Sequence, residues 1–352
     1  MRLISVTKIK EGDIIAKDIM SNDGGVLLRR HSKFKDAFRQ KFLDRNIYEI
    51  YIEDELSEGI EPTDILDPQV RHKVTRDIKG EFEKLKKDIH INADIFVKVS
   101  DILVGELSKK DLVCEMIDLK LNDNYTYEHC IGVGILTAIV CRKMDIDVDN
   151  TQKIVMGALM HDIGKIIIPK DILNKKEKFT EDEWQIMKSH AEIGYKIIKE
   201  NRELSPITKL AVLCHHERED GSGYPLGKAE QLHIGTKIVA ACDVFHALLS
   251  DRPYRKGLPL SEVISAAARE KLNVPIRETI EGILAFYPIG CTVLLSNGDV
   301  GLVEKNFAQD IKSPLIRVIY NMQTKKRQNY RLNLQEDRSI TIIQRLPDIP
   351  SV

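Results

Sequence analysis

His161 and Asp162 stand side by side in "HDIGK", and His215 and His216 open "HHEREDGSGYP" about fifty residues later. Histidine is scarce in this chain, ten residues in 352, yet His129, His161, His190, His215, His216, His233 and His246 all fall between positions 129 and 246. A lone histidine such as His129 or His190 is more often a hydrogen-bonded core or surface group than a ligand. Asp243, behind an apolar run, has the same two readings. Doublets in apolar surroundings are different, because burying several titratable groups without a partner costs several kcal/mol. A shared metal ion offsets that cost.

The elements that must bring these side chains together are helical. "TQKIVMGALMHDIGK" reads as a buried helix ending at Gly164, with His161 and Asp162 in its last turn, about 100° apart and both able to reach an interior. "YTYEHCIGVGILTAIVCRKM" places His129 near the start of a second helix, and "WQIMKSHAEIGYKII" places His190 within a third. "PITKLAVLCHHERED" delivers His215 and His216 at the end of a fourth, and "IVAACDVFHALL" buries Asp243 in a fifth. Imidazoles and carboxylates projecting inward from several helices are how metal sites are built in helical bundles. His233 and His246 read as structural or supporting groups. His31, His72 and His90 lie in charged surroundings and read as surface residues.

Around this centre the pattern changes twice. Residues 1–60 alternate short β-like runs with one helical stretch, as a small α/β domain does, and 61–118 reads as a helical connector, either a signalling stalk or a dimer contact. The helical segment 119–285 carries the histidines. Residues 286–352 return to β-rich runs broken by turns, as in a small β-barrel, with Asn297-Gly298 a hairpin signal. The expected class is mainly α, a central all-α bundle with a small N-terminal α/β domain and a small C-terminal β domain. Charge is nearly balanced, 53 basic against 54 acidic residues, which gives no reason to expect a nucleic acid polymer or a membrane surface as partner. No apolar run approaches the roughly 18 residues of a membrane span and the start lacks a signal peptide's apolar stretch, so a cytoplasmic location is expected. The six cysteines show no CxxC spacing and read as reduced core thiols.

From about Thr126 to Leu258 the chain resembles the HD-GYP domains, a branch of the HD metal-dependent phosphohydrolases. "YTYEH", "HDIGK", "KSHAEIGY", "HHEREDGSGYP" and "DVFHALLSDRPYR" occur in that family's order and at its spacings. The resemblance implies metal ligation by His129, His161, Asp162, His190, His215, His216 and Asp243, with Asp162 bridging two ions. It implies that Lys165 acts at the scissile phosphate, that Gly223, Tyr224 and Pro225 shape the site wall, and that Arg252 and Lys256 meet a distal phosphate or base. Two positions depart from the family pattern: Glu219 replaces a bulky residue before "DGSGYP", and His246 replaces the second aspartate of "DVFDAL".

The activity so implied is hydrolysis of cyclic di-GMP to pGpG, and on to GMP as a further step, through a hydroxide activated by two metals. Phosphodiester hydrolysis at neutral pH needs a strong nucleophile and charge on the phosphate oxygens, which a metal pair supplies. A donor set of nitrogen and oxygen without thiolate favours two iron or manganese ions over a structural zinc. Lys165, just after the helix end, is placed to act as a point charge on phosphate. Another cyclic dinucleotide such as cyclic GMP-AMP is the rival substrate, and a weakly catalytic cyclic-dinucleotide sensor the rival function. A possible homodimer through the connector stays open. Family members with three metals carry a glutamate four residues before the first ligand histidine; here that residue is Tyr125, a neutral phenol at pH 7, so two ions are expected.

Overall fold

The computed structural model describes residues 1–20, 25–45, 47–108, 114–115, 126–228, 231–250 and 258–350. Its contacts divide the chain into two compact units, one of Met1–Asp64, Val113–Ile117 and Ile283–Val352, the other of Ile65–Leu112 and Asp118–Gly282.

The first unit is built on two antiparallel sheets. β1 (Arg2–Ser5), β2 (Ile14–Ile15) and β3 (Glu49–Glu53) lie in the order β1-β3-β2. β4 (Thr292–Leu295), β5 (Asp299–Lys305), β6 (Leu315–Asn321), β7 (Lys326–Asn333) and β8 (Ile342–Leu346) lie in the order β7-β6-β5-β4-β8. The Asn297-Gly298 signal marks the β4–β5 turn, where Gly298 takes φ of 84° and the Asn297 side-chain oxygen accepts the Asp299 N–H. Leu3, Tyr51, Val293, Val303, Ile316 and Val318 share one core. The Leu3 N–H donates to the Gly290 carbonyl at 2.9 Å and the Ser5 N–H to Pro347 at 3.0 Å. Segments 1–60 and 286–352, read from sequence as separate pieces, thus lie within a single unit.

The second unit is all helix. α1 (Pro68–Leu85) starts where Asp67 accepts the N–H groups of Gln69 and Val70, and buries Val74, Ile78, Phe82 and Leu85 along one stripe. α2 (Ala93–Leu107) buries Phe96, Val99, Leu103 and Leu107 in the same way. Both belong to the unit that holds the histidines, rather than to a separate connector. α3 (Thr126–Lys143) is buried from Tyr127 through Cys141, so it is apolar all round and forms the centre of the bundle. α4 (Val148–Met160), α5 (Glu181–Lys188), α6 (His190–Ile198), α7 (Pro206–Cys214) and α8 (Ile234–Leu249) follow, of which α4 and α8 pack against α3 together with α1 and α2, and α9 (Leu260–Ala267) and α10 (Val274–Ile283) come after them. Helices dominate the chain, and the class is mainly α as expected. All six cysteines are buried and none is in a disulfide. Among the described residues no helix is long and apolar enough to cross a membrane.

Candidate metal centre

Five histidines and two aspartates, carried by five helices or the turns at their ends, meet in the bundle interior. Asp162, His190, His215 and His216 offer ligand atoms within 4.8 Å of one another, and so do His129, His161 and Asp243. Each expected ligand is therefore in the cluster. The local backbone differs from the expectation in two places. α4 ends at Met160 instead of Gly164, and a tight 3-10 turn over Ile163–Ile166 carries the chain away from Asp162. The reason is packing: a Cβ at Gly164 would lie 2.0 Å from the His190 carbonyl oxygen, so this turn presses its backbone directly on α6. His190 is the first residue of α6, since the stretch read as one helix breaks at Ser189.

Three of the imidazoles are oriented by one device. His161 donates its Nδ1–H to the Ala158 carbonyl at 2.7 Å, His190 to Met187 at 2.6 Å and His215 to Val212 at 2.9 Å. Each Nε2 is thereby turned inward, which is the arrangement a metal-binding imidazole needs. His190 Nε2 and His215 Nε2 face each other at 3.2 Å. The two oxygens of Asp162 look in different directions. Oδ2 lies 3.5 Å from His161 Nε2 and 3.9 Å from His129 Nε2, while Oδ1 lies 3.4 Å from His190 Nε2 and 3.8 Å from His215 Nε2. Asp243 Oδ1 is 2.9 Å from His129 Nε2 and its Oδ2 is 3.9 Å from His216 Nδ1.

Burial sets the electrostatics. It pushes His215 and His216 well below the usual imidazole range and His190 down to about 4, which keeps these rings neutral with a lone pair to offer. For Asp162 burial works upward, but Lys165 and His161 outweigh it and hold the carboxyl well below the carboxylate range. Asp243 is likewise held down by His129 and His161 against its burial. Two buried atoms, His161 Nε2 and Asp162 Oδ1, have no hydrogen-bond partner among the described residues. A buried polar atom left unpaired costs about 1–3 kcal/mol. Cations coordinated by this set would satisfy both, so the residues present fit a metal centre.

Lys165 sits on the cluster with its Nζ 2.6 Å from Asp162 Oδ2. Tyr224 stacks on His216 with ring centroids 4.6 Å apart, Gly223 packs against the His216–Arg218 backbone, and Pro225 follows across a cis peptide. Arg252, Lys256 and Tyr125 lie outside the described residues. Glu219, the departure before "DGSGYP", anchors its loop by a 3.0 Å ion pair to Lys237 on α8 and a hydrogen bond from Asn273.

Glu217 and Cys130 escaped the sequence reading of the site, whereas His246 was read there as a structural or supporting group. Glu217, one residue past the His-His doublet, is buried and accepts the Leu226 N–H at 2.6 Å and the Gly227 N–H at 3.2 Å, which ties down the loop carrying Tyr224. Its place in the "HHE" run was the available signal. Cys130 lies with His161 and Asp162 in a third group. Burial pushes its thiol up, which disfavours the thiolate form. His246 is fully buried with its Nδ1 3.0 Å from His129 Nδ1. His233, in contrast, is exposed and caps α8 by accepting the Gly235 N–H.

Residues 111–273 match the family described as HD domain. The chain is 31% identical over 230 residues to the cyclic di-GMP phosphodiesterase PA4108 of Pseudomonas aeruginosa, covering 64% of this chain and 56% of that protein. It is 34% identical over 155 residues to the 3'3'-cGAMP-specific phosphodiesterase 3 of Vibrio cholerae, covering 43% of this chain and 33% of that one. The match thus spans only part of each relative. In fold the chain resembles Bd1817, an HDG"Y"P protein from Bdellovibrio bacteriovorus, with a TM-score of 0.52 and 17% identity over 80% of this chain and 98% of that one.

Proposed function

We propose that this chain, whose residues 111–273 match the HD domain family and whose motifs resemble the HD-GYP branch, is a metal-dependent phosphodiesterase that opens a cyclic dinucleotide, cyclic di-GMP to pGpG. The observation that carries this reading is Asp162, a buried carboxylate whose two oxygens face two separate sets of imidazoles. His129, His161 and Asp243 would hold one ion, His190, His215 and His216 the other, and Asp162 would serve both. When bound, two divalent ions, iron or manganese by donor set, supply positive charge for the phosphate oxygens and make water a competent nucleophile at neutral pH.

The protein's own groups do the rest. Asp162 and the inward-turned Nε2 atoms fix where the phosphate must sit. Lys165 pairs with Asp162 in the structure and, beside that carboxylate, would be placed to hold the phosphate as a point charge. Tyr224, stacked on His216, walls the site and narrows the access of bulk water, and Glu217 keeps that wall in place. Replacing Lys165 by Ala is therefore expected to leave metal content intact and to slow hydrolysis about ten- to a thousandfold, the range for losing one charge contact in the transition state. Unchanged kinetics in a steady-state assay would make Lys165 a surface residue.

The substrate is tested by chromatography of products from cyclic di-GMP, 3'3'-cGAMP and deoxynucleoside triphosphates, incubated side by side with protein purified without oxygen. The expected result is turnover of cyclic di-GMP far above that of the triphosphates. The likeness to a 3'3'-cGAMP-specific phosphodiesterase supports a second reading, in which cyclic GMP-AMP is the better substrate. Preferential triphosphate hydrolysis would overturn both. Micromolar binding of cyclic di-GMP without any turnover would make the protein a sensor.

A further inference from the structure

His161, His190 and His215 each give their Nδ1–H to a backbone carbonyl three residues earlier. His129 is built differently. It sits in the first turn of α3, and its Nδ1 faces a side chain instead, His246 Nδ1 on α8 at 3.0 Å. Its other nitrogen, Nε2, is directed at Asp243 Oδ1 and towards Asp162. We propose that His246 is a positioning residue of the metal centre, doing for His129 what main-chain carbonyls do for His161, His190 and His215.

The contact joins two nitrogens of the same kind, so one must carry a proton and the other a lone pair. In the structure His129 Nε2 lies at hydrogen-bond distance from a carboxylate, which suits an Nε2–H donor and leaves Nδ1 to accept from His246. A cation on His129 Nε2 requires a lone pair there. The proton then belongs on His129 Nδ1, and His246 Nδ1 becomes the acceptor. A neutral imidazole can serve in either sense by exchanging tautomers, and Ser250 Oγ, 3.3 Å from the same His246 nitrogen, can adjust its hydroxyl to follow. A carbonyl could play only one of these parts.

Room for the ring comes from the facing helix. A Cβ on Gly132 would lie 1.9 Å from His246 Nε2, so His246 fits only because position 132, one turn beyond His129, has no side chain. His246 is completely buried, and its neighbour on the same helix, one turn earlier, is the ligand candidate Asp243. The same helix therefore offers a carboxylate to one nitrogen of His129 and an imidazole to the other.

The inference rests on the reading that the buried cluster holds divalent ions. Its test is chelator competition with Mn2+ on wild type, His246→Asn and His246→Leu. Asparagine places Oδ1 at the position of the imidazole Nδ1, while leucine fills the space without a polar atom. His246→Leu is expected to weaken one of the two ions ten- to a hundredfold, the range for lost support of a ligating histidine, and to leave the other as in wild type. His246→Asn is expected to stay within about threefold of wild type. Equal affinity in wild type and His246→Leu overturns the inference, and so does equal weakening in both variants, which would make His246 a packing group. A wild type that binds no Mn2+ removes the underlying reading instead. Should His246→Leu fail to fold, ring 15N spectra of wild type loaded with diamagnetic Zn2+ decide the matter. A proton on His129 Nδ1 and none on His246 Nδ1 is expected, and the reverse overturns it.

Discussion

Asp162→Ala is expected to lower cyclic-dinucleotide hydrolysis by more than about a thousandfold and to strip metal from both positions of the centre. Asp162 faces both sets of imidazoles, Oδ2 the His129–His161 side and Oδ1 the His190–His215 side, whereas Asp243 pairs closely with His129 and meets the second set at His216 alone, 3.9 Å away. Losing the carboxylate also leaves inward-facing imidazoles with less negative charge to balance a cation. The fold should survive, because α4 ends at Met160 and its ladder does not use the Asp162 side chain. Lys165, partly exposed, can turn to water when its partner is gone. Asp162→Asn, which keeps the shape and removes the charge, should behave alike. Elemental analysis beside a turnover assay checks this, and near-normal turnover with both ions bound would show that Asp162 bridges nothing.

Gly164→Ala is the second large effect, and it arises from backbone instead of chemistry. The added Cβ would come within 2.0 Å of the His190 carbonyl oxygen and 2.6 Å of the Gly194 nitrogen. Neither atom is the tip of a flexible side chain, so α6 or the turn after Asp162 must move. Either movement separates His190 from Asp162 Oδ1, now 3.4 Å apart. A loss of about 3 kcal/mol in stability is expected, at the upper end for overpacking, together with reduced metal retention. Thermal unfolding of the metal-free protein isolates the packing part, and a Gly164→Ala protein with wild-type stability and metal content would refute the close approach.

Which parts of this were legible in the sequence follows from the range of the forces involved. The His-Asp and His-His doublets were readable because several titratable groups beside apolar helical runs demand a common partner, and the motif spacings placed His129, His190 and Asp243 beside them. Helix ends were less readable. The break at Ser189 and the early stop at Met160 answer to the contact between Gly164 and His190, which joins residues far apart in the chain. His246 looked like a substitution with a structural role, since nothing local tells that its ring meets His129 across two helices. Pairing of the chain ends was invisible for the same reason: nothing local tells that Leu3 and Val293 share one core. Arg252, Lys256 and Tyr125 lie outside the described residues, so their roles remain those implied by the family resemblance.

The most direct measurement is a metal titration of protein stripped by a chelator under nitrogen, with hydrolysis of cyclic di-GMP followed after each addition of Fe2+ or Mn2+. Activity should be absent without metal, rise with the second equivalent and level off at two ions per chain, as a shared Asp162 between two sets of ligands requires. Hydrolysis that persists in stripped protein, or two tightly bound ions with no hydrolysis of any cyclic dinucleotide, would contradict the account.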